Sequence, residues 1–266
     1  MAQDYSAYQH LVCERVEDGI LKITINNPES LNAITPPIHT ELSRIWFDVA
    51  ADHETRVVML TGAGRAFSAG GDVHNMRAVW GNRDIAGLMQ EAKQIIYGML
   101  EVPQPLIALV NGHAVGLGAT LALTCDIVYA AESARIGDRH VNVGLVAGDG
   151  GALIWPLLVG PHRAKQFLMT GELILASDAA AMGLINKAVP ADQLETTGLE
   201  MARQLASLPP LAVSWTKLSV NKTLKLVANA AFDTSLAWEA ASMMSKDHLE
   251  AVTAFIEKRP ANFIAR

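Results

Sequence analysis

The sequence predicts an α/β fold in which apolar strands end in glycine-bearing turns and are followed by helices. Residues 57–60 are an apolar run that leads into a turn at 62–72. Residues 106–110 are a second such run, which leads into a turn at 111–118, and a third glycine-rich turn lies at 144–151. Alternating strands and helices are typical of α/β proteins, whose sites gather where strands end. We therefore expect these turns to lie near one site.

The first elements are predicted to be a hairpin and a helix. Residues 11–16 and 20–25 are strand-like runs joined through Asp18-Gly19, a pair that tolerates the positive φ of tight turns. Apolar residues at helical spacing then follow Pro36 and continue to about Ala51. A hairpin that leads into a helix fits the α/β class.

Helical and strand patterns continue to alternate through the middle of the chain. Apolar positions predict a helix over 85–100, which Pro103 and Pro105 end. After the second turn, the pattern predicts a short buried helix, then a strand, and after the third turn an apolar helix; these segments are 118–124, 127–131 and 152–159.

After Pro190 the pattern is helical throughout. The predicted helices are 194–208, 211–226, 229–244 and 247–258. We therefore predict two parts, a core over 1–199 and a helical oligomerisation subdomain over 200–266.

Composition narrows the function classes. The 266 residues carry a net charge of -6 and no run of Lys or Arg, which argues against a nucleic-acid partner. Two cysteines give neither a disulfide framework nor metal-ligand spacing, and they fit a reducing cytoplasm. No signal peptide or membrane span is predicted. The 50% share of hydrophobic residues favours a homo-oligomer.

The first two turns suggest a shared chemistry. A strand that ends at small residues before a helix exposes backbone NH groups with little side chain in the way. Two such turns that meet would form an oxyanion hole for a thioester or ketone carbonyl.

An ordered set of segments, from about residue 10 to 263, resembles the crotonase superfamily, the enoyl-CoA hydratase and isomerase fold. The matching segments are 27–28, 31–33, 66–72, 110–116, 125–127, 148–151, 168–171, 179–185 and 257–263. The resemblance implies a spiral of ββα units followed by helices that build homotrimers or hexamers. It also implies a coenzyme A thioester as substrate, with Gly71 and Leu117 as the oxyanion donors. The sequence shows no metal-ligand cluster and no GxGxxG dinucleotide motif, so we expect no bound metal or cofactor.

Two positions depart from the hydratase pattern. Where hydratases carry two catalytic glutamates, this chain has Thr120 and His140. Addition of water by two glutamates therefore cannot be transferred to this chain. Asp149, in the following turn, is a candidate partner for His140, because a carboxylate bonded to one imidazole nitrogen leaves the other to act as a base.

A similar His and Asp arrangement occurs in the β-diketone hydrolase branch of the superfamily, in which water attacks a ketone and a carbon–carbon bond breaks. Glu239 matches an acidic residue of that branch, and His39 matches a histidine. Leu117 stands where the branch has a further histidine, and residues 257–263 have the tail pattern of members that use coenzyme A. We therefore expect a coenzyme A thioester and predict His140, Asp149 and Glu239 as catalytic residues.

The resemblance also implies contacts to the substrate and to coenzyme A. These residues are Ala33, Arg65, Ala66, Ser68, Ala69, Asp72, Val73, Gly116, Thr120, Lys258 and Phe263. Arg65 and Lys258 would meet phosphates, whereas Asp72 also suits a helix N-cap and Thr120 also suits packing.

Three functions remain open. The first is an acyl-CoA enzyme of the hydratase or isomerase kind. The second is a hydrolase that cleaves a carbon–carbon bond in a cyclic β-diketone or a β-keto acyl-CoA. The third is a non-catalytic protein that binds coenzyme A, which the loss of both glutamates favours and an intact His140 and Asp149 disfavour.

Overall fold

The computed structural model describes residues 3–78, 80–81 and 84–264. The strands are, in chain order, β1 (Leu11–Glu17), β2 (Ile20–Ile25), β3 (Val57–Gly62), β4 (Ala66–Ser68), β5 (Leu106–Val110), β6 (His113–Val115), β7 (Ile127–Ala131), β8 (Arg135–Gly137), β9 (Ile174–Leu175) and β10 (Lys187–Val189). The helices are α1 (Pro36–Ala51), α2 (Val73–Ala78), α3 (Ile85–Glu101), α4 (Leu117–Thr124), α5 (Gly151–Thr170), α6 (Ala176–Ala181), α7 (Leu194–Ala206), α8 (Pro210–Met243) and α9 (Lys246–Glu257). The predicted mixed α/β class is confirmed.

The larger sheet has the strand order β1-β2-β3-β5-β7-β10. The predicted hairpin forms an antiparallel pair, β1 with β2, and each later neighbour is parallel. Every residue of β5 is buried, as expected for a parallel strand that is covered on both faces. Helix α7 covers one face so closely that a Cβ on Gly198 would meet the Leu109 side chain at 2.4 Å.

A second, smaller sheet has the order β4-β6-β8-β9, and the sequence did not predict it. Strands β4, β6 and β8 have three residues each, too few for a period-two pattern to be recognised. They are parallel neighbours, so their carboxyl ends lie side by side. The small sheet therefore brings the segments that follow Ser68, Val115 and Gly137 to one place.

The carboxyl-terminal helices differ from the predicted ones in continuity. Residues 211–226 and 229–244 were predicted as two helices, but α8 runs unbroken over 34 residues. Its middle contains no Gly or Pro, and Ala228 is buried there, so nothing interrupts the helix.

Helix α5 extends past the predicted end at 159, because the chain kinks at Gly160 (φ 78°, ψ 161°) and resumes the helix after it.

The predicted boundary at residue 199 falls inside α7, and it stays a prediction. Within the parts of the chain that the structure describes, no helix has the length and hydropathy needed to cross a bilayer.

Candidate active site

The candidate oxyanion donors lie where β4 and β6 end. Ile34 forms a parallel bridge with Gly71, in which the Ile34 NH donates to the Gly70 carbonyl at 2.7 Å and the Asp72 NH donates to the Ile34 carbonyl at 3.3 Å. This pattern turns the Gly71 NH away from Ile34. Leu117 is the first residue of α4, and the first NH groups of a helix have no acceptor within it. Two NH groups are thus offered at one point.

Glycine is required at two positions beside these donors. Gly70 has φ +83°, and a Cβ there would lie 2.7 Å from the Val115 carbonyl oxygen. Gly116 has φ +54° and ψ -126° at the N-cap of α4, a conformation that L side chains rarely adopt. The two turns therefore approach each other closely because they lack side chains.

His140 lies just after β8, in a 3-10 segment, between two carboxylates. Its Nδ1 is 2.7 Å from Oδ1 of Asp138, and its Nε2 is 3.3 Å from Oδ2 of Asp149. The Asp138 Oδ1 also accepts the His140 backbone NH at 3.0 Å. All three residues are buried, with 8% of His140 exposed. The imidazole is thereby fixed in one orientation.

The two carboxylates determine the charge of His140. Burial by itself lowers the pKa of His140, but the charges of Asp138 and Asp149 and the hydrogen bonds to them outweigh it. The pKa of His140 therefore lies well above its usual value of 6.5. The two carboxylates therefore favour the protonated, positively charged form of the ring.

This geometry corrects one prediction. We expected Asp149 to hold one nitrogen of His140 and leave the other as a free base. The structure brings Asp149 and His140 together, but Asp138, which the sequence reasoning missed, makes the shorter contact at the other nitrogen. Because both ring nitrogens contact carboxylates, neither is left as a free base.

The same three side chains could each offer one atom to a metal ion, since those atoms lie within 4.8 Å of one another. A metal would compete with the hydrogen bonds of Asp138 and Asp149 for the imidazole nitrogens. It would also require the neutral ring, which the raised pKa of His140 disfavours.

Two cavities meet at these groups. The inner cavity, of about 60 Å³, is lined by Ile34, Thr35, Pro36, His39, Gly71, Met76, Leu88, Met89, Ala92, Leu117, His140, Leu145, Asp149, Glu239 and Met243. The outer cavity, of about 360 Å³, is lined by Leu31, Ala69, Gly70, Gly71, Val73, Met76, His113, Val115, Gly116, Arg139, His140, Asn142, Val143, Leu173 and Phe255. Gly71, Met76 and His140 border both, so the two cavities are adjacent.

The inner cavity holds two further polar groups named from the sequence. Glu239, on α8, is buried and lies against the third turn, where a Cβ on Gly148 would meet its side chain at 2.5 Å. His39, on α1, is buried with its Nδ1 2.6 Å from Oε2 of Glu91. Glu91, on α3, was not predicted, because nothing local in the sequence links the two helices.

The predicted substrate contacts divide into three groups. Ala69, Val73 and Gly116 line the outer cavity. Ala66, Ser68 and Thr120 are buried and are not among the described residues that line either cavity, because they pack within the fold. Ala33, Arg65, Asp72, Lys258 and Phe263 also lie outside both linings.

Local contacts explain several of these placements. The Ser68 hydroxyl donates to the Asn32 carbonyl at 2.8 Å, which occupies it structurally. Asp72 caps α2 by accepting the His74 NH at 2.9 Å, so its alternative role as an N-cap is confirmed. Lys258, with φ +53°, ends α9 and is exposed.

The outer cavity also contains residues that the sequence reasoning missed. Arg139, a cation, and His113 are exposed on its wall. Phe255 of α9 contributes an apolar side chain, and 61% of this residue is exposed. Arg139 directly precedes His140, and its Nε donates to Oδ1 of Asn142 at 3.1 Å. Only its position in a predicted site loop could have drawn attention to it.

The sequence model of the enoyl-CoA hydratase/isomerase family matches residues 15–266. A crotonyl-CoA hydratase of Syntrophomonas wolfei is 33% identical over 263 residues, which is 98% of this chain and 100% of the relative. An enoyl-CoA hydratase/isomerase from Mycobacterium paratuberculosis shares 38% identity with a TM-score of 0.88, over 92% of this chain and 97% of that one. A β-diketone hydrolase from Anabaena, bound to (S)-3-oxocyclohexyl acetic acid, shares 32% identity with a TM-score of 0.84, over 90% and 96%.

Proposed function

This chain belongs to the enoyl-CoA hydratase/isomerase family and is an enzyme of the crotonase superfamily, and we propose that it binds an acyl-CoA thioester with the carbonyl oxygen between the NH groups of Gly71 and Leu117. Both residues line the inner cavity. Donors aimed at a developing oxyanion stabilise an enolate by about 3 kcal/mol each in comparable enzymes. The partial positive charge at the start of α4 adds to this effect.

Asp149 and His140 form the proposed acid–base unit. The Asp149 carboxylate accepts a proton from water or from the substrate carbon, and the His140 imidazolium returns one to the enolate or to the leaving oxygen. Asp138 positions the ring and keeps it charged. The observation that carries this proposal is the placement of His140 between two carboxylates on the wall of the inner cavity.

Carbon–carbon bond hydrolysis is a second candidate for the reaction. It is favoured by the absence of both hydratase glutamates, by the pairing of His140 with Asp149, and by the 32% identity to a β-diketone hydrolase. In this reaction a water oxygen bonds to a ketone carbon, the bond to the neighbouring carbon breaks, and the released enolate takes a proton from the acid–base unit. The same two NH groups hold the enolate oxygen.

A substrate panel separates these candidates. Crotonyl-CoA, a cyclic β-diketone and a cyclic β-keto acyl-CoA are each incubated with the enzyme. Hydration of crotonyl-CoA removes the absorbance of its conjugated alkene, whereas cleavage of either keto compound produces a new carboxylate. Turnover of crotonyl-CoA alone supports hydration, and turnover of a keto compound alone supports hydrolysis. Calorimetric binding of thioesters without any turnover would contradict both candidates and support the non-catalytic alternative.

We also propose that the chain forms a homotrimer or a hexamer through its carboxyl-terminal helices. Leu211, Trp215 and Leu226 on α8 are more than half exposed. Their spacings of 4 and 11 residues return to one helix face. Light scattering would test this state, and a monomer at micromolar concentration would contradict it. The two free cysteines are consistent with our proposal of a cytoplasmic location.

A further inference from the structure

His39 is a buried imidazole on the inner cavity that the proposed acid–base chemistry does not use. It lies on α1, and 7% of the residue is exposed. His140, Asp149 and Glu239 reach the same cavity from other elements. The proton transfers proposed above do not involve this second imidazole, so they do not explain why it lies on the cavity.

Glu91 fixes the orientation of His39. Its Oε2 lies 2.6 Å from Nδ1 of His39, and its Oε1 accepts the Thr40 hydroxyl at 2.7 Å. The hydrogen bond from His39 is the main cause that lowers the pKa of Glu91, so this carboxyl is held ionised. With Nδ1 committed to Glu91, Nε2 is the ring nitrogen left for a ligand.

Apart from Thr35 and the groups named above, the lining of the inner cavity is apolar. Ile34, Leu88, Met89 and Ala92 line the cavity beside His39. A plain hydrocarbon chain would fill such a wall but would leave the polar nitrogen of His39 without a partner, which costs free energy in a buried site. A ligand with one oxygen on an otherwise apolar skeleton would both fill the apolar lining and give the His39 nitrogen a hydrogen-bond partner.

The surrounding charges restrict what that oxygen is. Carboxyl groups of Glu91, Asp149 and Glu239 surround the inner cavity and its His39 wall. The His140 ring on the same lining is already held between Asp138 and Asp149, so a substrate carboxylate would meet mainly carboxyl groups at close range, whereas a keto or hydroxyl oxygen carries no charge to be repelled. The small volume of the cavity, about 60 Å³, further restricts the acyl part to a short one.

We propose that His39, positioned by Glu91, hydrogen-bonds an uncharged oxygen in the acyl part of the substrate, so that the substrate is a short acyl thioester bearing a keto or hydroxyl group besides the thioester carbonyl. This inference rests on the proposed function, because it assumes that the acyl part enters the inner cavity. It holds for either candidate reaction.

Three saturated thioesters test the proposal by calorimetry, since none can be hydrated. Pentanoyl-CoA and 4-oxopentanoyl-CoA differ by one ketone, and glutaryl-CoA replaces the methyl end with a carboxylate. We expect the wild type to bind 4-oxopentanoyl-CoA about three- to tenfold more tightly than pentanoyl-CoA, the effect of one hydrogen bond. Glutaryl-CoA is expected to bind most weakly.

His39→Leu should abolish the preference for the ketone, because it removes the Nε2 hydrogen bond. It also removes the contact to Glu91, but that loss affects the two five-carbon thioesters alike and cancels in the ratio of their affinities. His162→Ala, at an exposed histidine on α5, is the matched control and should keep the preference. Equal wild-type affinities for the two five-carbon thioesters, tightest binding of glutaryl-CoA, or a ketone preference that survives His39→Leu would each overturn the proposal. The first two need no variant, so they decide even if His39→Leu does not fold. Absence of binding by every thioester would instead overturn the proposed function.

Discussion

The inner cavity has two walls made of different kinds of group. On the oxyanion wall, Gly71 and Leu117 offer backbone NH groups. On the acid–base wall, His140, Asp149 and Glu239 offer side chains. A backbone NH can still donate after its residue is substituted, provided that the turn keeps its shape. An acid–base side chain is lost when its residue is substituted. Carbonyl binding and the reaction that follows it can therefore change independently.

Removal of the imidazole is the strongest way to separate the two walls. His140→Ala should lower kcat by about two to four orders of magnitude, the usual contribution of a general acid or base. Binding of a saturated acyl-CoA should change by less than about threefold, because the oxyanion donors remain. Steady-state kinetics with the best substrate of the panel and calorimetry measure the two effects.

His162→Ala, which alters an exposed histidine, should match the wild type in both measurements. Unchanged turnover in His140→Ala would remove this residue from the mechanism and leave the acid–base wall to Asp149 and Glu239.

Removal of one backbone donor is the complementary change. Leu117→Pro eliminates the NH while keeping the helix, because Leu117 is the first residue of α4 and proline suits the first position of a helix. We expect kcat to fall by about 10²–10³, as for other oxyanion donors.

Leu117→Met keeps both the NH and the side-chain volume, so it should lose less than about threefold in kcat. If both variants are equally impaired, the Leu117 side chain matters and its NH does not, and the contrast between the walls fails. Circular dichroism and thermal melting verify that each variant folds.

The pH dependence sharpens the description of the acid–base wall. The pKa of His140 is raised because the charges of Asp138 and Asp149 outweigh burial. Asp138→Asn removes one of these charges and keeps an oxygen that can accept the backbone NH of His140, so the pKa of His140 should fall. The alkaline limb of kcat/KM should then move to lower pH, and activity at neutral pH should fall about 10- to 100-fold, the size of effect found for hydrogen-bond partners of metal-binding histidines.

The raised pKa of His140 also makes the free energy of unfolding depend on pH. A group whose pKa is higher in the folded state contributes stability that is fully present below its unfolded pKa and lost as pH rises through the folded pKa. The wild type should therefore lose this contribution on the alkaline side, at a higher pH than Asp138→Asn does. Thermal melts against pH and a proton NMR titration of His140 measure both, and identical titrations would show that Asp138 does not set the charge of the ring.

Sequence reasoning located the oxyanion wall better than the acid–base wall. Glycine-rich turns after apolar strands are local patterns, so the segments around Gly71 and Leu117 could be singled out before their geometry was known. The short strands β4, β6 and β8 that align these turns left no such pattern, since three residues do not display a period. The convergence of the turns was expected, but the sheet that produces it was not.

The contacts between individual side chains were what the sequence analysis mainly failed to predict. Asp138 lies two residues before His140 and accepts its backbone NH as well as contacting its ring, a local contact that the chemistry of Asp in turns could have suggested. Glu91 is 52 residues from His39, and their contact depends on how α1 packs against α3. The His39–Glu91 pair depends on tertiary packing, which neither periodicity nor turn chemistry reports.

The smallest expected effect concerns the outer cavity, where the structure and the sequence favour different cations. Arg139 is exposed on the cavity wall, whereas Lys258, favoured by the tail motif, lies outside the described lining. Arg139→Ala should raise KM for a coenzyme A thioester about two- to fivefold with kcat unchanged, because an exposed charge contributes at most about 1 kcal/mol. Lys258→Ala should leave KM unchanged. Kinetics at low and high salt test the electrostatic origin, since screening should shrink the Arg139 effect. An increase in KM for Lys258→Ala alone would mean that the tail reaches the coenzyme A in the working enzyme, and binding of the coenzyme would then depend on α9 while both walls of the inner cavity stay as described.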